Sequence, residues 1–365
     1  MSILAREFSE RTEWLLIFSA NLKTTFSQNN KMTATHQKNV LLVVEEAAGA
    51  HALRLLLESN HILAGVLTSG NLPDTAKYQD ESLKDADANT KPPNSNIAAK
   101  ASSLGIPVFD AKKVQDPDFA KWMGAHQIDV LLNVHSLYRI CPEVVHAVRI
   151  GGFNLHPGPL PGYSGLNVPS WAIYNEEPTH AVTLHYITDK IDTGHIVYET
   201  QFPLTAKDTG LTVSLKCVQK GLQLIERLLK ELSRVPFYMP SQPQELGERR
   251  FYKRFQIPGN GFIQWTDPAH KIDAFIRACN YSPFPSPWGE PKTRWRERNI
   301  SILKAEISNK VCDDAPGTVG PMVDGKTAIA TADYWVLIDK CKVDGEPFVA
   351  ASFLAPGDKL IAEKN

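Results

Sequence analysis

Residues 40–44 and 62–67 are unbroken apolar runs, and between them Leu53, Leu56 and Leu57 recur at helical spacing. A strand, a helix and a second strand packed into so short a stretch form a βαβ unit, which brings the two strands together in parallel. Parallel strands are covered on both faces, so they read as continuous apolar runs, without alternation. The same rhythm continues along the chain. A helix is expected over 97–104, a strand at 107–109, a helix over 117–126, a strand at 130–132 and a helix over 142–148. Beyond these come strands at 181–187 and 195–202 and a long amphipathic helix over 212–232. The expected fold class is α/β, a Rossmann-like domain with a mostly parallel sheet, in which ligands bind beyond the carboxyl ends of the strands. The first turn has no G-x-G-x-x-G, and Glu45 and Glu46 stand where a phosphate would need backbone amides, so a dinucleotide site is not implied.

A chain of 365 residues exceeds one typical core, so a larger and a smaller domain are expected. Residues 38–235 form the first. From 236 to 262 proline, glutamine, arginine and aromatic residues follow no period, as in a linker. Residues 263–365 hold short strand-like runs at 300–305, 317–319, 328–331, 335–340 and 348–353, separated by glycines; these suggest a small β-barrel-like (OB-like) domain. Residues 1–37 read as an extension outside the fold. Its apolar run at 14–20 is too short to cross a membrane and follows the mixed charges Arg6, Glu7, Glu10, Arg11 and Glu13, not the basic region of a secretory leader, while Met32 stands just ahead of the first strand. A formal net charge of -1 argues against a dominant nucleic-acid partner. Five scattered cysteines with no C-x-x-C pair indicate neither a disulfide framework nor a metal site, and point to reduced thiols in a cytoplasmic protein.

The chemistry concentrates in residues 152–165. Asn154 and His156 are two positions apart, so on a strand they share a face; three prolines then stiffen the loop, with a cis bond at Leu160-Pro161 as one expectation. Asn133, His135, Ser136, Leu137, Tyr138 and Arg139 follow the strand at 130–132, and a glycine-closed turn at 188–195 carries Asp189 and Asp192. A histidine backed by a carboxylate takes a proton near neutral pH, and an amide N–H stabilises a developing oxyanion. No serine or cysteine joins the set as a nucleophile, so direct attack by a substrate group on a carbonyl carbon is the simplest chemistry, and acyl transfer to an amine uses Asn154, His156 and Asp192 together. The structural alternatives are a packing role for a histidine before proline, a solvated turn for Asp189 and a strand cap for His135. Tyr163 and Trp171 read as packing beneath the loop, and Arg249, Arg250, Lys253 and Arg254 as a solvated basic surface, with contact to a phosphate group as the alternative.

These motifs resemble the folate-dependent formyltransferases, the methionyl-tRNA formyltransferase-like family with catalytic and carboxyl-terminal domains. The resemblance rests on Asn154-Leu155-His156-Pro157, on Leu160 through Gly165, and on Ile191-Asp192-Thr193-Gly194. It continues through Ile263-Gln264-Trp265, Ile276-Arg277-Ala278, Pro316 through Val319 and Phe353 through Asp358. It implies transfer of a formyl group from N10-formyltetrahydrofolate to a primary amine, without a metal. His156 is then the base, Asp192 its orienting partner and Asn154 the oxyanion donor, with the folate against Asn133, His135, Leu137, Tyr138 and Asp189. A small-molecule or carrier-bound amine is the expected acceptor; a sugar nucleotide and methionyl-tRNA are alternatives, and the same residues acting on water would give a formyltetrahydrofolate hydrolase. Two departures from the tRNA enzymes disfavour tRNA. The segment 69–95 carries five acids, Asp74, Asp80, Glu81, Asp85 and Asp87, against three lysines, and Ser164 stands where their loop has arginine.

Overall fold

The computed structural model describes residues 36–69 and 97–362. The amino-terminal extension up to residue 35 and most of the acidic segment lie outside the described residues.

Strand β1 (Asn39–Val44) shows why its sequence is apolar throughout: Leu42 and Val44 enter one buried cluster and Leu41 and Val43 another, on opposite faces of the sheet. Each buried side chain of this size contributes about 1.5–3 kcal/mol. Helix α1 (Glu46–Leu57) leads to β2 (Ile62–Thr68), which lies parallel to β1. Helix α2 (Ile97–Ser103) precedes β3 (Val108–Asp110), and α3 (Phe119–Ala125) precedes β4 (Val130–Val134). Helix α4 (Pro142–His146) precedes β5 (Gly151–His156), whose end runs into a two-residue strand, β6 (Ser164–Gly165). After α5 (Val168–Tyr174) come β7 (Thr179–Tyr186), β8 (Ile196–Pro203) and α6 (Gly210–Leu232). The seven-stranded sheet has the order β3-β2-β1-β4-β5-β7-β8. Its first five strands are parallel, and β7 and β8 are antiparallel additions. The order reverses between β1 and β4, and the carboxyl ends of β4 and β5 lie beside that crevice. Helix α6 covers one face with Leu224, Ile225, Leu228 and Leu232, and begins with reciprocal hydrogen bonds between Thr209 and Thr212.

The segment that reads as a linker contributes structure of its own. Strand β9 (Phe251–Tyr252) pairs in parallel with β6, Ser164 opposite Phe251 and Gly165 opposite Tyr252. Helix α7 (Ala269–Cys279) follows, and then nine short strands. These are β10 (Lys292–Trp295), β11 (Arg298–Ile302), β12 (Ala305–Val311), β13 (Val319–Val323), β14 (Lys326–Ile329), β15 (Tyr334–Ile338), β16 (Lys340–Val343), β17 (Glu346–Val349) and β18 (Leu360–Ile361). They form a sheet β17-β16-β11-β10-β18 and a sheet β12-β15-β14-β13, joined by a bridge between Thr318 and Lys359. All pairings within both sheets are antiparallel. The apolar run at 335–340, which suggests one strand, is two: the chain passes from one sheet to the other at Asp339. The run at 300–305 divides in the same way before Ala305. One apolar cluster holds Val168, Trp171 and Val213 together with Ile263, Trp265, Phe275 and Trp288, so the carboxyl-terminal part packs directly beneath the loop that follows β5.

Candidate active site

At the ends of β4, β5 and β7 the sheet register aligns polar residues that are far apart in sequence. Asn133 lies opposite Asn154 on one side and His185 lies opposite it on the other. Asn133 Nδ2 donates to Asn154 Oδ1 at 2.7 Å, and Asn154 Nδ2 lies 2.9 Å from His185 Nε2. His185 Nδ1 donates to the Tyr186 carbonyl at 2.8 Å, leaving Nε2 as the acceptor of the Asn154 amide. The Asn154 amide is thereby held at both ends, with its second N–H uncommitted. Sequence reading gives His185 no role beyond its place in a strand. Only the β5–β7 register brings it to the site.

His156 is 3% exposed, and its Nε2 donates to the Tyr163 carbonyl at 2.6 Å. A carbonyl can only accept, so the neutral ring carries its proton on Nε2 and keeps Nδ1 as the basic atom. That Nδ1 stands 3.7 Å from Asp192 Oδ2. Burial lowers the His156 pKa, against the opposing pull of Asp192 and the Tyr163 carbonyl, while the His185 ring adds to the lowering. Burial alone would raise the Asp192 carboxyl. The nearby His156 and His185 rings and the Gly165 amide outweigh it and hold the group below the usual carboxylate range. Gly165 N donates to Asp192 Oδ2 at 2.8 Å, and Asp192 itself has φ 54°, in the left-handed region. Gly165 has φ +92°, and a Cβ there would lie 2.2 Å from the Tyr252 carbonyl oxygen, so only glycine lets β6 and β9 approach this closely.

These side chains lie in a cavity of about 480 Å³ lined also by His135, Leu137, Tyr138 and Asp189. Every residue expected to touch the folate therefore borders one space with Asn154, His156 and Asp192. His135 has φ 60° and an Nε2 shut off from solvent without a partner; burial first, and the His156 charge second, push its pKa down to about 4. Asn133 Oδ1 is likewise buried and unpartnered. Leu137 is 57% exposed at the rim. The Asp189 carboxylate is largely exposed near His146, and its carbonyl accepts from Arg139 Nη2 at 3.1 Å. Tyr163 and Trp171 are packed, stacking on either side of Tyr252. The Leu160-Pro161 bond is cis. Phe251, Tyr252, Lys253 and Arg254 also line the cavity; the aperiodic connecting sequence gives no sign of the first two, while the basic pair is part of the run that reads as a solvated surface or a phosphate contact.

A mostly parallel sheet followed by antiparallel sheets has counterparts among known proteins. The family model for formyl transferases matches residues 19–229, and the model for the formyl transferase carboxyl-terminal domain matches residues 257–357. The first alone spans more than half of the chain, which belongs to the formyl transferase family and is a formyl-folate-dependent transferase. A methionyl-tRNA formyltransferase of Chlorobium chlorochromatii (strain CaD3) is 27% identical over 263 residues, covering 71% of this chain and 80% of that protein. An N-formyltransferase from Helicobacter canadensis, solved with folinic acid and dTDP-3-aminofucose, shares the fold with a TM-score of 0.59 and 18% identity over 83% of this chain and 99% of its own. A sugar 3N-formyl transferase solved with dTDP and 5-N-formyl-THF has a TM-score of 0.57 and 17% identity, covering 83% of this chain and 97% of its own. No helix among the described residues is long and apolar enough to cross a membrane.

Proposed function

We propose that the protein transfers the formyl group of N10-formyltetrahydrofolate to a primary amine of a small-molecule or carrier-bound acceptor. The observation that carries this reading is the meeting of Asn154, His156 and Asp192 in the lining of one cavity, with the His156 ring and the Asp192 carboxylate 3.7 Å apart. The fit to a folate rests on the buried, unpartnered Asn133 Oδ1 and His135 Nε2, which suit the hydrogen-bonding edge of a pterin, and on the exposed Leu137 at the rim. The bound folate supplies an activated formyl carbon. His156 Nδ1 accepts the proton that the amine loses on attack and returns one to the departing nitrogen. Asp192, 3.7 Å away, orients the ring and favours its charged form while that proton is held. The free N–H of Asn154 would serve as donor to a formyl oxygen as negative charge gathers there. Burial of His156 favours the neutral resting ring, the form a base needs.

A sugar nucleotide is the second acceptor class. Lys253 and Arg254 at the cavity lining favour it, since they suit a diphosphate, and the Helicobacter canadensis enzyme was solved with such a molecule. The test is a screen with N10-formyltetrahydrofolate as donor and carrier-bound amino acids, an amino-sugar nucleotide and methionyl-tRNA as acceptors. Calorimetry with tetrahydrofolate runs in parallel. Folate binding and amine formylation that disappears in His156→Ala are the expected results. Absence of folate binding, or full turnover in His156→Ala, rejects the proposal.

A further inference from the structure

The turn that carries Asp192 is gripped from outside its own strands. The bridge between Ile196 and Gln242 docks the start of the connecting segment against β8, with hydrogen bonds of 2.8 and 2.9 Å. Gln244 Nε2 then donates to the Gly194 carbonyl at 2.6 Å and to the Asp192 carbonyl at 3.2 Å. Arg249 Nη2 donates to the Ile191 carbonyl at 2.9 Å while its guanidinium lies over the Phe251 ring. Two residues later the backbone turns to the other side of the same carboxylate. Ser164 N donates to the Arg250 carbonyl and Leu166 N to the Tyr252 carbonyl, both at 2.9 Å, which fixes Gly165 between them with its N–H on Asp192 Oδ2. On the sheet side, the backbone of Gly194 is pressed so close to the Tyr186 carbonyl that a Cβ would come within 1.8 Å of it.

We infer that residues 242–252 form the positioning frame of Asp192, with Gln244 and Arg249 as its positioning residues: they hold the backbone on either side of the carboxylate while β9, through Gly165, holds the carboxylate itself. A residue in the left-handed region needs such support. Its backbone is less favourable than the ordinary helical conformation and relaxes unless its carbonyls are tied down. The two amide contacts of Gln244 reach the carbonyls of Asp192 and Gly194, and Arg249 reaches the carbonyl before Asp192, so three of the four carbonyls from Ile191 to Gly194 are bound by this segment. The consequence for chemistry is the distance between Asp192 and His156. The frame sets it, and the carboxyl-terminal half of the chain is attached to the frame's end.

This inference rests on the proposed pairing of Asp192 with His156, and the experiment separates the two. The readout is the protonation midpoint of the His156 ring in the full chain, followed by NMR with labelled histidine and assigned by its loss in His156→Gln. The groups facing that ring are Asp192 from the turn, His185 and His180 from β7, and His135 after β4. Asp192→Asn should lower the midpoint. Gln244→Met, which keeps bulk and removes the donor, should lower it by about one unit, the effect of opening a charge pair from 3.7 Å to roughly 5 Å at an effective dielectric of about 20. In the Asp192→Asn background Gln244→Met should shift nothing further. Arg249→Met repeats the test from the other side of the turn if Gln244→Met does not fold. An unmoved midpoint in the folded single variants, or an equal shift with and without Asp192, overturns the frame. If Asp192→Asn itself leaves the midpoint in place, the pairing with His156 fails first, and the inference with it.

Discussion

Replacing Gly165 by alanine tests the geometry of the site at its tightest point. The new Cβ would lie 2.2 Å from the Tyr252 carbonyl oxygen and 3.0 Å from its nitrogen, both backbone atoms that no rotamer change can move. To reach the 3.0 Å below which real Cβ atoms are essentially never found, β6 and β9 must part by about 0.8 Å. The pairing partners on either side, Ser164 with Arg250 and Leu166 with Tyr252, have hydrogen bonds of 2.9 Å that such a retreat stretches past useful length. A side chain at φ +92° adds about 1–2 kcal/mol of backbone strain. Loss of the Gly165 N–H from a buried carboxylate adds about 1.5–3 kcal/mol. The expected destabilisation is therefore about 3–5 kcal/mol, a large share of the roughly 5–15 kcal/mol that holds a domain together. Urea denaturation reads it against Gly162→Ala in the same loop, where a Cβ meets nothing nearer than the Pro159 carbonyl at 4.0 Å and the expected change is within about 0.5 kcal/mol. Formyl transfer should fall with stability in Gly165→Ala and survive in Gly162→Ala. Equal denaturation midpoints for the two variants would refute the reasoning.

Asp192→Asn removes a charge 3.7 Å from His156 Nδ1, worth about 4 kcal/mol at an effective dielectric of about 20, so turnover should fall roughly a thousandfold with folate binding intact; a loss under tenfold in a steady-state assay counts against the pairing. Asn154→Ala should cost about 10²–10³ in kcat as an oxyanion donor is lost. His185→Leu, which frees the Asn154 amide to turn and removes a ring 3.6 Å from Asp192 Oδ1, should cost less, and steady-state kinetics that rank the two the other way would show that His185 has a larger role. Burial pushes the His180 ring, 1% exposed, down to a pKa of about 4 from about 6.5 when unfolded. The unfolded chain then binds more protons between those values, so stability is complete above pH 6.5 and falls as pH drops toward 4, by at most about 1.4 kcal/mol per unit from this residue. Denaturation midpoints measured across that window should fall less steeply in His180→Gln; parallel slopes would exclude His180 as the source.

The sequence carries the parallel sheet openly because burial on both faces leaves a plain mark, the unbroken apolar run of β1, with Leu42 and Val44 facing one way and Leu41 and Val43 the other. The strand rule of two also brings Asn154 and His156 into one cavity. His185 is different. A histidine on an alternating strand looks the same whether it faces solvent, core or site, and only the antiparallel register of β7 on β5 sets it opposite Asn154. Strand β10 is equally inconspicuous in sequence, because Lys292 and Arg294 alternate with the buried Thr293 and Trp295 and leave no apolar run. The connecting segment is the extreme case. Its ordered contacts are backbone pairs and side-chain amides reaching carbonyls, interactions that leave no hydrophobic period to read.

That segment also explains how a second sheet region can matter to chemistry it does not line. Tyr252 stacks between Tyr163 and Trp171, with ring centroids 5.5 and 4.6 Å away, and Asn175 Nδ2 donates to the hydroxyls of both Tyr163 and Tyr252 at 3.0 and 3.2 Å. Trp171 in turn meets Trp288 edge-on at 4.9 Å, and Trp288 packs near Phe275 of α7. Tyr163 is also the residue whose carbonyl fixes the His156 tautomer. A displacement of α7 or Trp288 thus bears on the ring stack before it bears on any polar group. It would reach His156 through the Tyr163 backbone and Asp192 through Gly165, two residues apart at the end of one short loop. On the proposed mechanism packing and proton transfer meet in that loop, so that its stiffness, set by prolines at 157, 159 and 161 and by the pairing of β6 with β9, would belong to the chemistry as much as to the fold.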